Sequence, residues 1–250
     1  MRLAIGEGCT TLIAMGGDGT VQLLVREVIG RDARVGVMPA GGGNDFASAL
    51  GVSRSLEDAA EAIVRGKCRL VDVVGVQVAG GHQAVYLGGG GMGLDADAVR
   101  YAAGRFLMWP GKLRYLASAI VALRGFSGIQ VNLEFPDNDL PPISKKVLLA
   151  AVLNTPTCGG GLRLAPQAQV DDGMLEVVLL EMLSRREVLA LIPRLLVTGE
   201  LKTKRTTRLR APSVRISAPG QWWFQGDGEL LGIAPVEVRA MPRALCVLAP

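Results

Sequence analysis

The sequence holds a single histidine in 250 residues, His82. It sits in GGHQAVYL, a surface turn leading into an apolar run, so a His-dependent catalytic triad is excluded. The four cysteines, Cys9, Cys68, Cys158 and Cys246, are scattered without a C-x-x-C or metal-ligand spacing. That pattern predicts neither a disulfide framework nor a zinc site, and it fits a reducing cytoplasm. No apolar run approaches the roughly 18 residues of a spanning helix, although 49% of residues are hydrophobic and mean hydropathy is +0.33. The start, MRLAIGEGCTTL, lacks a sustained apolar stretch and a small-residue cleavage site, so no signal peptide is expected. The glycine loops also lack the lysine of a G-x-x-x-x-G-K-[ST] phosphate loop.

What remains is apolar and rich in loops, with 33 glycines and a net charge of only +4. The length suits one large domain or two modest ones. Basic residues gather in ELKTKRTTRLRAPSVR (200–215), where a solvated strand face and a contact with an anionic membrane surface are both open readings.

The first third alternates in period. TTLIAM (10–15) reads as a buried strand, GGDGT follows, and VQLLVREVIG is helical and closed by Gly30. ARVGVMPA (33–40) is a second strand, GGGNDFA a second glycine loop, and SLEDAAEAIVRG (55–66) an amphipathic helix with a capping box at Ser55 and a Gly66 stop. Repeated strand–loop–helix units predict a parallel α/β sheet with its loops at the strand carboxyl ends. After RLVDVVGVQV the pattern becomes short apolar runs between Gly, Pro, Asn and Asp turns, which predicts an antiparallel sandwich or barrel. Two helices interrupt it, at 111–126 and 184–200, the second kinked or divided at Pro193.

Glycine loops between a strand and a helix offer backbone N–H groups to phosphate. Without a lysine, Asp18 can stand beside phosphates only through Mg²⁺ or a hydroxyl donor; alternatively it caps its own helix through the Thr20 or Val21 amides. The G-x-G-x-x-G at Gly88, Gly90 and Gly93 lacks the acid expected downstream and reads as a tight packing turn. Asp171 and Asp172 suit either a turn or a hard cation. Asp227 and Glu229, two apart, would face one side of an extended segment and could converge on a metal or a substrate proton; a plain hairpin turn explains them equally well.

Five pieces in order resemble the diacylglycerol-kinase catalytic-domain family, which includes bacterial lipid kinases and sphingosine kinases. They are GGDGT (16–20), PAGGGNDFASALG (39–51), GGMGLDADAV (90–99), GGGLRLAPQAQVDDGMLEVVLL (159–180) and GDGE (226–229). GGDGT alone is shared with NAD kinases; the series of five is specific.

The resemblance implies an α/β plus β fold: a NAD-kinase-like α/β domain, N-terminally truncated, followed by a β-sandwich. Residues 1–75, with 243–250 returning to them, would be the nucleotide-binding part, and 76–242 a mostly β lipid-binding part. It assigns Gly16, Gly17, Asp18, Gly19, Thr20, Gly41, Gly42, Asn44 and Asp45 to ATP, with Gly42 standing where the family usually has a threonine. It assigns a structural Mg²⁺ to the Asp172 side chain with the Gln169 and Met174 carbonyls, the general base to Glu229, and a place beside it to Asp227. The function implied is ATP-dependent phosphorylation of a lipid hydroxyl. A non-catalytic lipid-binding member and a NAD kinase-like enzyme are the alternatives. Partners would be the lipid, the inner membrane surface approached peripherally from the cytoplasm, and a second copy in a homodimer, with no nucleic acid.

Overall fold

In the computed structural model, residues 2–104, 118, 121–122, 126–201 and 203–250 are described. A short helix α1 (Arg2–Gly6) leads into β1 (Thr11–Gly16), and α2 (Asp18–Val28) begins directly after the first glycine loop. β2 (Arg34–Pro39) pairs in parallel with β1, and the short α3 (Asp45–Ala49) follows the second loop. α4 (Leu56–Arg65) starts where its sequence says it should: the Ser55 hydroxyl accepts the Asp58 N–H, and Gly66 takes the left-handed conformation that ends it.

β3 (Cys68–Val78) then runs into the second part of the chain. The next strands are β4 (Gln83–Tyr86) and β5 (Gly89–Gly93), followed by α5 (Leu94–Gly104). Next come β6 (Ile129–Glu134), β7 (Ile143–Leu153), β8 (Leu175–Glu181) and α6 (Arg185–Thr198). β9 (Thr206–Ala211), β10 (Ser213–Ser217), β11 (Trp223–Gly226), β12 (Glu229–Ile233) and β13 (Val236–Leu248) finish the chain. The expected helix over 111–126 lies for the most part outside the described residues. α6 runs through Pro193 without dividing.

The strands form one mixed network in the order β1-β2-β13-β10-β6-β7-β5-β11-β12, with β3 and β4 joined at β13 and β8 and β9 joined at β7. Pairing is parallel at β1–β2 and β2–β13 and antiparallel in the other ladders. The two long strands β3 and β13 pair along their length and serve two cores. Val71, Val73, Leu245 and Val247 pack with α2, α3 and β2, whereas Val74, Val76, Val238 and Ala240 pack with the sandwich strands. The change falls at a bulge between Met241 and Leu245, where the bulged strand bends and its partner set switches.

Two local readings are corrected. The glycines at 89–93 form a buried strand, not a turn. A Cβ on Gly90 would lie 2.7 Å from the Gln225 carbonyl oxygen and one on Gly91 2.6 Å from that of Ala150, so the flanking strands leave no room for side chains. Cys68 and Cys246, read as unpaired, are joined as a disulfide between β3 and β13.

Candidate active site

The two glycine loops lie against each other. A Cβ on Gly17 would stand 3.3 Å from the Gly41 Cα, a backbone-to-backbone approach that side chains would prevent. Asn44, at φ +59° before α3, fixes the second loop by accepting the Gly41 N–H at 3.0 Å and donating to the Gly41 carbonyl at 2.7 Å. Gly19 and Gly42 face open space, with nothing within 4 Å of an added Cβ.

Asp18 sits inside the first turn of α2, after Gly17 at the N-cap, and no side chain caps that helix. Its Oδ1 instead accepts the Phe46 N–H at 3.0 Å, tying the first loop to the second. Its Oδ2 points toward Gly43. The helix-cap alternative therefore gives way to a cross-loop contact.

Asp45 reaches into the β part. It accepts the Thr157 hydroxyl at 2.8 Å and the Gly160 N–H at 2.7 Å. Burial, and secondarily the Asp18 charge, push its pKa up, against the lowering effect of those hydrogen bonds. The loop it holds contains Gly159, Gly160 and Gly161 at φ +62°, +87° and +106°. A Cβ on Gly43 would lie 3.3 Å from the Gly160 Cα, so this third loop borders the same cleft.

GDGE is a two-residue hairpin turn, with Asp227 at φ +49° and Gly228 at φ +83° between β11 and β12. The positive φ values turn the two acids apart, so of the two readings left open the hairpin turn holds and the same-side reading is corrected. Asp227 points inward: Oδ2 accepts the Leu87 N–H at 2.7 Å, and Oδ1 accepts those of Gly88 and Gly89 at 3.0 Å. Burial outweighs these bonds and pushes its pKa up to about 6. Glu229 points outward to α2, where its Oε2 lies 2.7 Å from Arg26 Nη1. Below the hairpin, Asp95 accepts the Gln225 amide at 3.0 Å, and burial pushes its pKa up to about 6.

The turn at Asp171–Gly173 is held by a residue the sequence reading passed over. Asp72, buried in β3, accepts the Gly173 N–H at 2.6 Å and the Arg243 N–H at 2.8 Å. Its one signal was an acid within the apolar run RLVDVVGVQV. Asp171 is paired with Arg69. Asp172 accepts the Met174 N–H at 2.9 Å and is bonded to the Arg210 guanidinium, which also reaches Glu176 at 3.2 Å. Gln169 lines the adjoining groove with Glu176 and Arg210. Among the described residues, no three His, Cys, Asp or Glu side chains converge as a metal cage. At this turn the Asp172 carboxylate is balanced by the Arg210 guanidinium.

The basic segment is largely paired with its own fold. Arg205 contacts Glu187 and the Met182 carbonyl, Arg208 the Leu164 carbonyl, and Arg215 both Glu134 and Glu237. Lys202 lies outside the described residues. No helix among the described residues is long and apolar enough to cross a membrane.

The family model for the diacylglycerol kinase catalytic domain matches residues 1–76, and the model for the YegS C-terminal NAD kinase beta sandwich-like domain matches residues 88–249. A Mycobacterium tuberculosis protein named diacylglycerol kinase is 29% identical over 252 residues, covering 100% of this chain and 80% of its own length. A Yersinia pestis protein named probable lipid kinase YegS-like is 28% identical, covering 96% of this chain and 79% of its own. The crystal structure of a diacylglycerol kinase from Bacillus anthracis strain Sterne shares the fold, with a TM-score of 0.70 at 18% identity over 96% of this chain and 76% of that one.

Proposed function

Since the chain belongs to the lipid-kinase family that joins a diacylglycerol kinase catalytic domain to a YegS-type β-sandwich, we propose that it transfers the γ-phosphoryl group of ATP to a lipid hydroxyl. The acceptor is diacylglycerol or a lipid like it. The observation that carries this reading is the junction of the two glycine loops, tied by Asp18 to Phe46, with the Asp45-held loop of the β part closing over them.

In this reading the glycines at 16, 17, 19, 41 and 42, with Thr20 and Asn44, cradle the nucleotide, because their backbone can approach phosphate oxygens closely. Magnesium bound with ATP would supply charge neutralisation, and Asp18, whose Oδ2 faces Gly43, is the residue that would hold it. Glu229 accepts the proton of the lipid hydroxyl as that oxygen attacks the γ-phosphorus in line. Positioning and electrostatics then supply most of the rate. Asp227 is not itself at the reaction: with three N–H donors on its carboxylate, it anchors the hairpin that presents Glu229. Because the acceptor is a lipid, the chain works at a membrane surface that it approaches peripherally.

The test is mass spectrometry of a bacterial total-lipid extract after incubation with the purified chain and Mg-ATP, with NAD as a parallel acceptor. A phosphorylated lipid is the expected product. Phosphorylated NAD, or no product together with no thermal protection by ATP, contradicts the proposal.

A further inference from the structure

Helix α2 sends two side chains from one face into the β part. Gln22 is fully buried and its amide donates to the Val85 carbonyl on β4. Arg26, four residues later and so one turn along the same face, meets Glu229 at 2.7 Å. Asp18 opens the same helix. At 1.5 Å per residue, Asp18 and Arg26 stand about 12 Å apart along the axis. Cα–Cβ bonds on a helix tilt toward its N-terminus, so the Arg26 stem sets out in the direction of the glycine loops.

The pair is half open to water, with side-chain exposures of 29% for Arg26 and 42% for Glu229. Contacts of that kind add little to stability because solvent screens them and ordering two long side chains costs entropy. What the contact does fix is direction. Glu229 follows Gly228 at φ +83° at the mouth of a hairpin, and Arg26 takes its Oε2, while Oε1 makes no hydrogen bond among the described residues.

We propose that Arg26 is a positioning residue for phosphoryl transfer, holding the Glu229 carboxylate on the α2 face at a set offset from the Asp18 loop. The inference rests on the reading of Glu229 as the base. In the step it serves, the lipid oxygen forms its bond to the γ-phosphorus and gives its proton to Glu229 Oε1. The bond from that phosphorus to the β–γ bridging oxygen breaks, and its electron pair leaves with ADP. Arg26 touches none of the reacting atoms; it restricts the rotamers of the group that does.

The experiment follows transfer of labelled γ-phosphate from ATP into a bacterial total-lipid extract dispersed in detergent micelles. The proteins are wild type, Arg26→Ala, Arg26→Lys, Glu229→Gln and the double variant Arg26→Ala/Glu229→Gln. Arg26→Ala is expected to lower kcat about ten-fold with KM for ATP and Tm nearly unchanged, and Arg26→Lys to recover most of the loss. In the Glu229→Gln background, Arg26→Ala is expected to cost nothing further, since its partner is already gone. Wild-type kcat in Arg26→Ala overturns the inference, and so does the same fold-loss in both backgrounds. If Arg26→Ala does not fold, Arg26→Gln takes its place, and Arg26→Lys with kcat no better than that of Arg26→Gln overturns it. Full activity in Glu229→Gln, or no transfer by wild type, defeats the reading of the base or of the kinase itself. An impaired Glu229→Gln beside a fully active Arg26→Ala defeats this inference alone.

Discussion

The carboxylate of Asp45 accepts the hydroxyl of Thr157 at 2.8 Å across 112 residues of sequence. One residue of the second glycine loop thereby fastens a loop of the β part to the nucleotide side of the cleft. Because the Gly160 N–H donates to the same carboxylate, Asp45 satisfies two groups at once.

Asp45→Asn leaves one acceptor oxygen where there were two, so one of these donors loses its partner. A buried group left in that way costs about 1–3 kcal/mol, equivalent to roughly 2–12 °C in Tm for a chain of this size. The expected result is a lower Tm by calorimetry and weaker ATP protection, with Thr157→Val giving a smaller effect of the same sign.

Gly42 faces open space, at the position where the resembling family usually has threonine. A side chain therefore fits without displacing a neighbour. Gly42→Thr is expected to keep Tm and to lower KM for ATP about two- to ten-fold, the worth of one hydrogen bond. Nucleotide titration of the variant checks it.

Asp95 gives the chain a pH dependence of definite sign. Its folded pKa of about 6 exceeds its ordinary 3.8, so between those values the native state keeps a proton that the unfolded chain has lost. The stability this group contributes is fully present below about pH 4 and is lost as pH rises through about 6, a change of about 3 kcal/mol. Asp227 shifts the same way and adds a similar fall. Asp95→Asn, neutral at every pH, should make the wild-type decline in Tm between pH 5 and 7 shallower.

The glycine loops and α4 were legible because their signals are local: GGDGT between strand and helix, Ser55 three residues before Asp58, Gly66 at the helix end. The five-part series made the fold class legible as well. What stayed hidden depends on residues distant in sequence. The Asp45 partners lie 112 and 115 residues away, and Cys68 meets Cys246 across 178. Asp72 looked like an acid in a strand because the turn it holds is 101 residues further on. The divergence of Asp227 and Glu229 was half legible: the two-residue spacing allowed an extended segment or a hairpin turn, and Asp-Gly at positive φ makes the turn, which sends one acid inward and the other out.

The central claim, that this is a lipid kinase with Glu229 as its base, is tested most directly by the rate of γ-phosphate transfer from ATP to lipid in wild type and Glu229→Gln, with ATP affinity measured on both proteins. The account predicts transfer by the wild type, a loss of about 10²–10⁴ in the variant, and equal ATP affinity. Wild-type turnover by Glu229→Gln would contradict it.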